Sequence, residues 1–359
     1  MRKLVKIVFV NVLVILGLLF LIEGMVSYFT IGQTFFNQKI SERKHTEYDE
    51  ELGWINLPNV FISDMYSRED PLTINSQRYR STSEFSVQVP AGNVRIICSG
   101  DSFTLGFGVD DDHTWCQQLT ALDSRLETIN MGQGGYGVDQ AWLWYKRDQK
   151  KLEHDVVLFA FISEDFTRME SDSFMGYGKP YLTIRDDELI QDNYPVPRRS
   201  YDVAWWQVNL PMWQQLDTIK FLNKKFGQLL PQGSTALETK DHGKTDGVVA
   251  KIFASLHTIS RDNQRLAVLV YLPTRNDIVE GSANRWRQMV QAQASEQGYH
   301  LIDVAQEMSK LPPADIDKMF RRGGHYTDEG NRFVAEVLYN HLRRLIDFPP
   351  SANRPSVSR

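Results

Sequence analysis

Two rhythms of apolar residues run through this chain. Short segments that are almost continuously apolar and rich in β-branched or aromatic residues, at 94–98, 128–131, 156–162, 266–271 and 300–304, predict buried strands. Between them, at 114–122, 139–149, 247–260 and 283–297, the pattern is helical. A last helix over 328–346 lines Phe333, Val334, Val337, Leu338, Leu342 and Leu345 along one face. Strands alternating with helices predict an α/β domain on a parallel sheet covered on both sides.

Three stretches break the rhythm. Arg2, Lys3 and Lys6 precede an apolar run over 7–22 that Gly24 to Phe29 extends past Glu23, giving about the twenty residues that span a bilayer. No small-x-small cleavage site or lipobox cysteine follows. An uncleaved anchor is therefore expected over 1–30, with its basic flank in the cytoplasm and the rest of the chain outside. Residues 31–92 are polar and turn-rich, with Leu52-Gly53-Trp54 and Ile74-Asn75-Ser76 as landmarks, and are expected as an extended lead-in to a domain at 93–348. An insertion at 168–244 carries Tyr177, Tyr181, Tyr194, Trp205, Trp206 and Trp213 among prolines and charges. It is expected to fold over the carboxyl edge of the sheet with its aromatic residues packed on the domain; stacking on sugar rings is the alternative. The proline- and serine-rich tail, 349–359, is expected to be disordered.

Composition narrows the partners. A chain of 359 residues can bury a sizeable core, and a formal net charge of −5 offers no basic face, so no nucleic-acid partner is expected. The two cysteines, Cys98 and Cys116, form no disulfide framework; buried free thiols are expected, with a bridge between them left open. Without CxxC, HExxH or a Cys/His cluster, neither a metal site nor a cofactor is expected.

The candidate chemistry sits at strand ends. In 95–110 the first strand runs into Ser99-Gly100-Asp101-Ser102, putting Ser102 at a carboxyl edge where open α/β sheets bind ligands and a following turn aims N–H groups at an anion. Asp101 is expected to fix that turn by hydrogen bonding to nearby backbone. A glycine-rich block, Asn130 to Gly137, follows the second strand, and Ser163-Glu164-Asp165 follows the third. Of the eight histidines, His325 stands out because it lies in a glycine loop directly ahead of the last helix, which Thr327 is placed to cap. Acyl transfer needs a nucleophile, a base and donors for an oxyanion, and this set offers each. No GxSxG elbow and no GxxxxGK[ST] loop is present, which sets aside the ordinary α/β-hydrolase and P-loop classes.

In their order, Gly100-Asp101-Ser102, the Asn130 to Gly137 block, Ser163-Glu164-Asp165 and His325 resemble the SGNH/GDSL hydrolase family over about residues 52–345. The LGW-like and INS-like landmarks resemble its membrane-anchored bacterial members. The resemblance implies a three-layer, flavodoxin-like fold, with Ser102 as nucleophile, His325 as base, and the Ser102 and Gly135 backbone N–H groups as oxyanion donors. Two positions depart from it. Glu164 stands where the family has an oxyanion-binding asparagine, and Arg322 stands three residues before His325, where the family has an orienting aspartate. Two readings stay open. One is a single-pass, inner-membrane-anchored serine esterase, an acyl hydrolase or acyltransferase, whose periplasmic or extracellular domain acts on an acylated (for example acetylated) envelope glycan or small molecule, with Glu164 or Asp165 as substitute orienter or altered oxyanion position. The other is a catalytically degenerate fold serving as a glycan-binding or assembly module.

The basic flank supplies a test of topology. An alkaline phosphatase fusion after residue 40 is expected to be active, since that enzyme matures only outside the cytoplasm; an inactive fusion at normal expression would put the domain inside.

Overall fold

The continuously apolar runs pair as a parallel sheet. The computed structural model describes residues 2–33, 45–67, 70–175, 177–198, 242–279, 281 and 284–348. Strands β1 (Val94–Gly100), β2 (Leu126–Gly132), β3 (Val156–Phe161), β4 (Leu266–Tyr271) and β5 (His300–Asp303) lie in the order β5-β4-β3-β1-β2, all parallel. This is the flavodoxin-like order, in which the sheet grows in opposite directions from its first strand. The helices are α1 (Arg2–Gln33), α2 (Ser102–Leu105), α3 (Trp115–Leu122), α4 (Val138–Asp148), α5 (Ser163–Arg168), α6 (His242–Asp262), α7 (Arg275–Val279), α8 (Asn284–Gln297), α9 (Val304–Met308), α10 (Pro313–Lys318) and α11 (Asp328–Leu345).

Period-2 alternation divides the sheet's side chains between two cores. Ile97, Val157, Phe159, Phe161 and Leu269 pack with Trp142, Tyr145, Phe253 and Trp286 of α4, α6 and α8. Ile96, Cys98, Leu158 and Val270 pack on the other face with Trp115, Leu119, Met308, Val334 and Leu338 of α3, α9 and α11. The expected three-layer α/β fold is therefore present, with strand and helix ends within a few residues of the sequence reading. Cys98 and Cys116 are buried and unbridged.

Separately, α1 contains Lys6–Tyr28, with a mean hydropathy of 2.6, long and apolar enough to cross a membrane.

The segment expected as an extended lead-in is shaped and partly buried. Thr46–Asp49 pairs antiparallel with Gly53–Asn56, and Val60–Ile62 with Leu72–Ile74. Leu52 and Trp54 enter the α4-side core. The reason escapes hydrophobic periodicity, because many of the anchoring contacts are polar: Gln133 Nε2 donates to Asn56 Oδ1 (2.8 Å), Trp54 Nε1 to Gly134 O (3.0 Å) and Gln140 Nε2 to Leu52 O (2.8 Å). Part of the insertion is clamped to the same segment, since Val196 N–H donates to Glu50 O (2.7 Å) and Tyr48 OH to Val196 O (2.6 Å). A fully buried Lys179 bonds Asp139 Oδ2 at the start of α4 (2.5 Å). Tyr177 packs on Trp54, whereas the Tyr194 ring is exposed and its hydroxyl donates to Glu50 Oε1 (3.0 Å). Trp205, Trp206, Trp213 and the tail lie outside the described residues.

The lead-in's largest contribution is Arg80, which is fully buried. Its guanidinium donates to Asp111 Oδ1 (2.8 Å) and to the carbonyls of Leu105 (2.8 Å), Gly106 (2.7 Å), Val109 (2.7 Å) and Pro71 (3.1 Å). Replacing it with methionine strands a buried carboxylate and several carbonyls. Arg80→Met is therefore expected to destabilise the domain by about 3–5 kcal/mol, read from denaturant unfolding; a loss under about 1 kcal/mol would contradict this role.

Candidate active site

The serine turn is built from short-range chemistry. Asp101 caps α2 by accepting from Phe103 N–H through Oδ1 (2.8 Å), and the Gly106 N–H closes the turn on Ser102 O (3.0 Å) at φ +83°. Gly106 sits in the left-handed region, where glycine carries no steric cost. The end of β2 presses against this turn: a Cβ on Gly132 would lie 2.1 Å from Leu105 N, so only glycine lets the two segments meet. Ser102 is thereby held nearly buried, 7% exposed, at the carboxyl edge of β1.

Opposite it stands His325, with Nε2 2.8 Å from Ser102 Oγ. The histidine is carried on a turn closed by Arg321 N–H to His325 O (2.7 Å), and the Tyr326 hydroxyl ties the turn to Pro273 O (2.8 Å). Thr327 caps α11 by accepting from Gly330 N–H (3.1 Å). The imidazole packs against Phe103 and Phe107, with ring centroids 4.8 and 4.7 Å away. Burial pushes the His325 pKa below its ordinary 6.5; Asp101 works against that shift, and Arg168 and Arg321 reinforce it. That shift favours the neutral ring, whose Nε2 accepts a proton in the tautomer that carries hydrogen on Nδ1.

No carboxylate of the described residues bonds His325 Nδ1. Arg322, at the position three residues earlier, is exposed. Glu164 is also exposed, and its Oε2 accepts from Ser163 Oγ (2.9 Å); it acts on His325 only through space, by raising its pKa. Asp165 is buried and turned inward, where Oδ2 accepts from Ile162 N–H (3.0 Å) and Oδ1 meets Arg168. As hydrogen-bonding orienters of His325, neither Glu164 nor Asp165 fits, because the first turn of α5 directs one to solvent and the other to its own helix start. Burial, together with the charge of Asp101, raises the Asp165 carboxyl well above the usual carboxylate range, although Arg168 pulls it down.

Gly135 lies in the loop after β2 at φ +78°, where a Cβ would fall 2.5 Å from the Phe174 ring. The neighbouring Tyr136 carbonyl accepts from Arg168 Nη1 (2.9 Å), and the Tyr136 hydroxyl donates to Trp54 O (2.5 Å). Arg168, Phe107 and Phe174 all border the site, and the sequence reading gave them no role. Arg168 alone carries a signal, since it follows Asp165 by three residues and so shares a face of α5 with it. Among the described residues no group of three or more His, Cys, Asp or Glu side chains is arranged to hold a metal ion.

By themselves, fold and site define an α/β protein with a partly buried serine–histidine pair at the carboxyl edge of a flavodoxin-like sheet. No family model and no curated protein sequence matches the chain. Solved structures similar to it include a member of the lipolytic G-D-S-L family from Veillonella parvula, 14% identical over 70% of this chain and 99% of that one, with a TM-score of 0.41. An acetyl xylan esterase is 15% identical over 69% and 100% of the two chains, with a TM-score of 0.39. A lipase/acylhydrolase from Enterococcus faecalis is 13% identical over 72% and 100%, with a TM-score of 0.38.

The histidine's electrostatics are open to measurement. In an NMR titration His325 is expected to protonate with a midpoint below 6.5, and Glu164→Gln, by removing a charge that favours the imidazolium, is expected to lower it further. A midpoint above 6.5 would contradict the burial argument.

Proposed function

We propose that this chain is an SGNH-type serine esterase that removes or transfers an acyl group, with Ser102 as nucleophile and His325 as base. The observation that carries the reading is the 2.8 Å contact between Ser102 Oγ and Nε2 of His325 at the carboxyl edge of β1. Ser102 Oγ forms a bond to the ester carbonyl carbon while its proton passes to His325 Nε2. The carbonyl π pair moves onto oxygen, giving an oxyanion within reach of the Ser102 and Gly135 backbone N–H groups. Collapse of that intermediate breaks the carbon–oxygen bond to the leaving alcohol, which takes the proton back from His325. Water or an acceptor hydroxyl then repeats the sequence on the acyl-serine.

The finer reading rests on chain organisation. Residues 1–30, with their basic flank and apolar helix, form a single-pass anchor that puts the domain outside the inner membrane, where the acylated substrate is an envelope glycan. The packed lead-in moves the proposed start of the domain from residue 93 to His45. The alternative, a degenerate binding module, keeps one observation in its favour: no described carboxylate orients His325.

Labelling of the full-length protein in detergent with a fluorophosphonate separates the two readings. Ser102 is expected to be labelled, Ser102→Ala to abolish the signal, and Ser102→Ala or His325→Ala to slow hydrolysis of 4-nitrophenyl acetate by about 10³-fold or more. Folded wild-type protein that takes no label and hydrolyses no small ester would leave the binding module.

A further inference from the structure

Three arginines of this domain are deeply or largely buried, and two of them use their whole guanidinium. Arg80 and Arg95 are fully buried, and each engages Nε, Nη1 and Nη2 in hydrogen bonds. That is the behaviour of a cation whose task is structural. Arg168 differs. Its single Nη1 contacts three acceptors, Tyr136 O (2.9 Å), Asp101 Oδ2 (3.2 Å) and Asp165 Oδ1. Its Nε and Nη2 make no hydrogen bond to any described residue, and the side chain remains 16% exposed.

Arg168 shares a hydrogen-bond partner with Ser102. Asp101 Oδ2 accepts from both Ser102 Oγ (3.3 Å) and Arg168 Nη1 (3.2 Å), so one carboxylate oxygen joins the guanidinium to the nucleophile. Its Cζ lies 5.2 Å from the centroid of Phe174, the ring that covers Gly135, and its charge is felt at His325. Glu164, on the same short helix, brings a carboxylate that can donate nothing.

We infer that Arg168 is a further catalytic residue, its open N–H edge donating to the oxyanion that forms when Ser102 attacks an ester carbonyl. The inference rests on the serine-ester reading. A guanidinium held in place by Asp101, Asp165 and Tyr136 O is preorganised, so it adds charge stabilisation where negative charge develops without reorienting. The same contacts link three loops, those carrying Ser102, Gly135 and α5, so that the donor and the nucleophile keep a common frame.

The test uses the full-length protein in detergent with 4-nitrophenyl acetate. Arg168→Met is expected to lower kcat by about 10²-fold to 10³-fold with KM changed by less than about threefold, as loss of a donor used in the transition state requires. Millimolar methylguanidinium is expected to restore at least about tenfold of that loss, a recovery that a merely structural arginine would not give. The acid limb of kcat/KM should move to higher pH, because a cation that depresses His325 has gone. If Arg168→Met does not fold, Arg168→Lys keeps the charge without the fork and is expected to fold and to lose more than about tenfold in kcat. Full kcat in either folded variant overturns the inference, as does a loss in Arg168→Met that methylguanidinium cannot restore. A wild-type protein with neither turnover nor label at Ser102 would instead overturn the serine-ester reading, and this inference with it.

Discussion

The domain depends on the satisfaction of buried carbonyls around the serine turn. α2 is only four residues long and the chain after it winds through Gly106 to Val109, so several C=O groups point inward with no helix to receive them. One guanidinium, that of Arg80, collects these oxygens together with the Asp111 carboxylate. A buried cation with fewer acceptors would be unstable, and so would the carbonyls without the cation; each makes the other tenable. The position of Ser102 is a by-product of that mutual dependence.

Around this centre the site is stiffened by two kinds of contact. Guanidinium and carboxylate groups join the loops, as Arg168 does with Asp101 and Asp165, and aromatic rings set the histidine in place. The imidazole is therefore oriented by packing against Phe103 and Phe107. Packing fixes the direction of a ring without stabilising its charged form, whereas a carboxylate does both. The consequence is an imidazole with a lowered pKa whose protonated form is supported, among the described residues, only through space by Asp101 and Glu164.

The parts of this structure that repeat were legible in the sequence, and the parts that close on one another were not. β3 and β4 announced themselves because parallel strands buried on both faces read as unbroken apolar runs. Thr327 and Asp101 were legible as caps because their reach is two or three residues. By contrast, the burial of Asn56, Arg80 and Gln133 follows from partners far along the chain, so their polar character suggested surface. The serine and histidine were legible as a pair from the order of motifs. The orientation of Glu164 and Asp165 was not, since it turns on which way the first turn of α5 faces.

The distances along the chain between these partners carry a consequence for how the protein acquires its shape. Trp54 reaches Gly134 across 80 positions, Tyr48 reaches Val196 across 148, and Ser102 meets His325 across 223. Closing loops of that length costs entropy before any contact returns it, so topologies of this kind assemble slowly. The lead-in is synthesised before the sheet, so the partners of its carbonyl, indole and guanidinium groups lie in chain that follows it. If the chain is threaded through a membrane behind α1, the segment from His45 to Arg80 can form its own strand pairs but must wait for the strands after it before Trp54, Asn56 and Arg80 find their partners. Ser102 stays without His325 until the turn ahead of α11 has been made, so the pair at the carboxyl edge of β1 is among the later contacts to form.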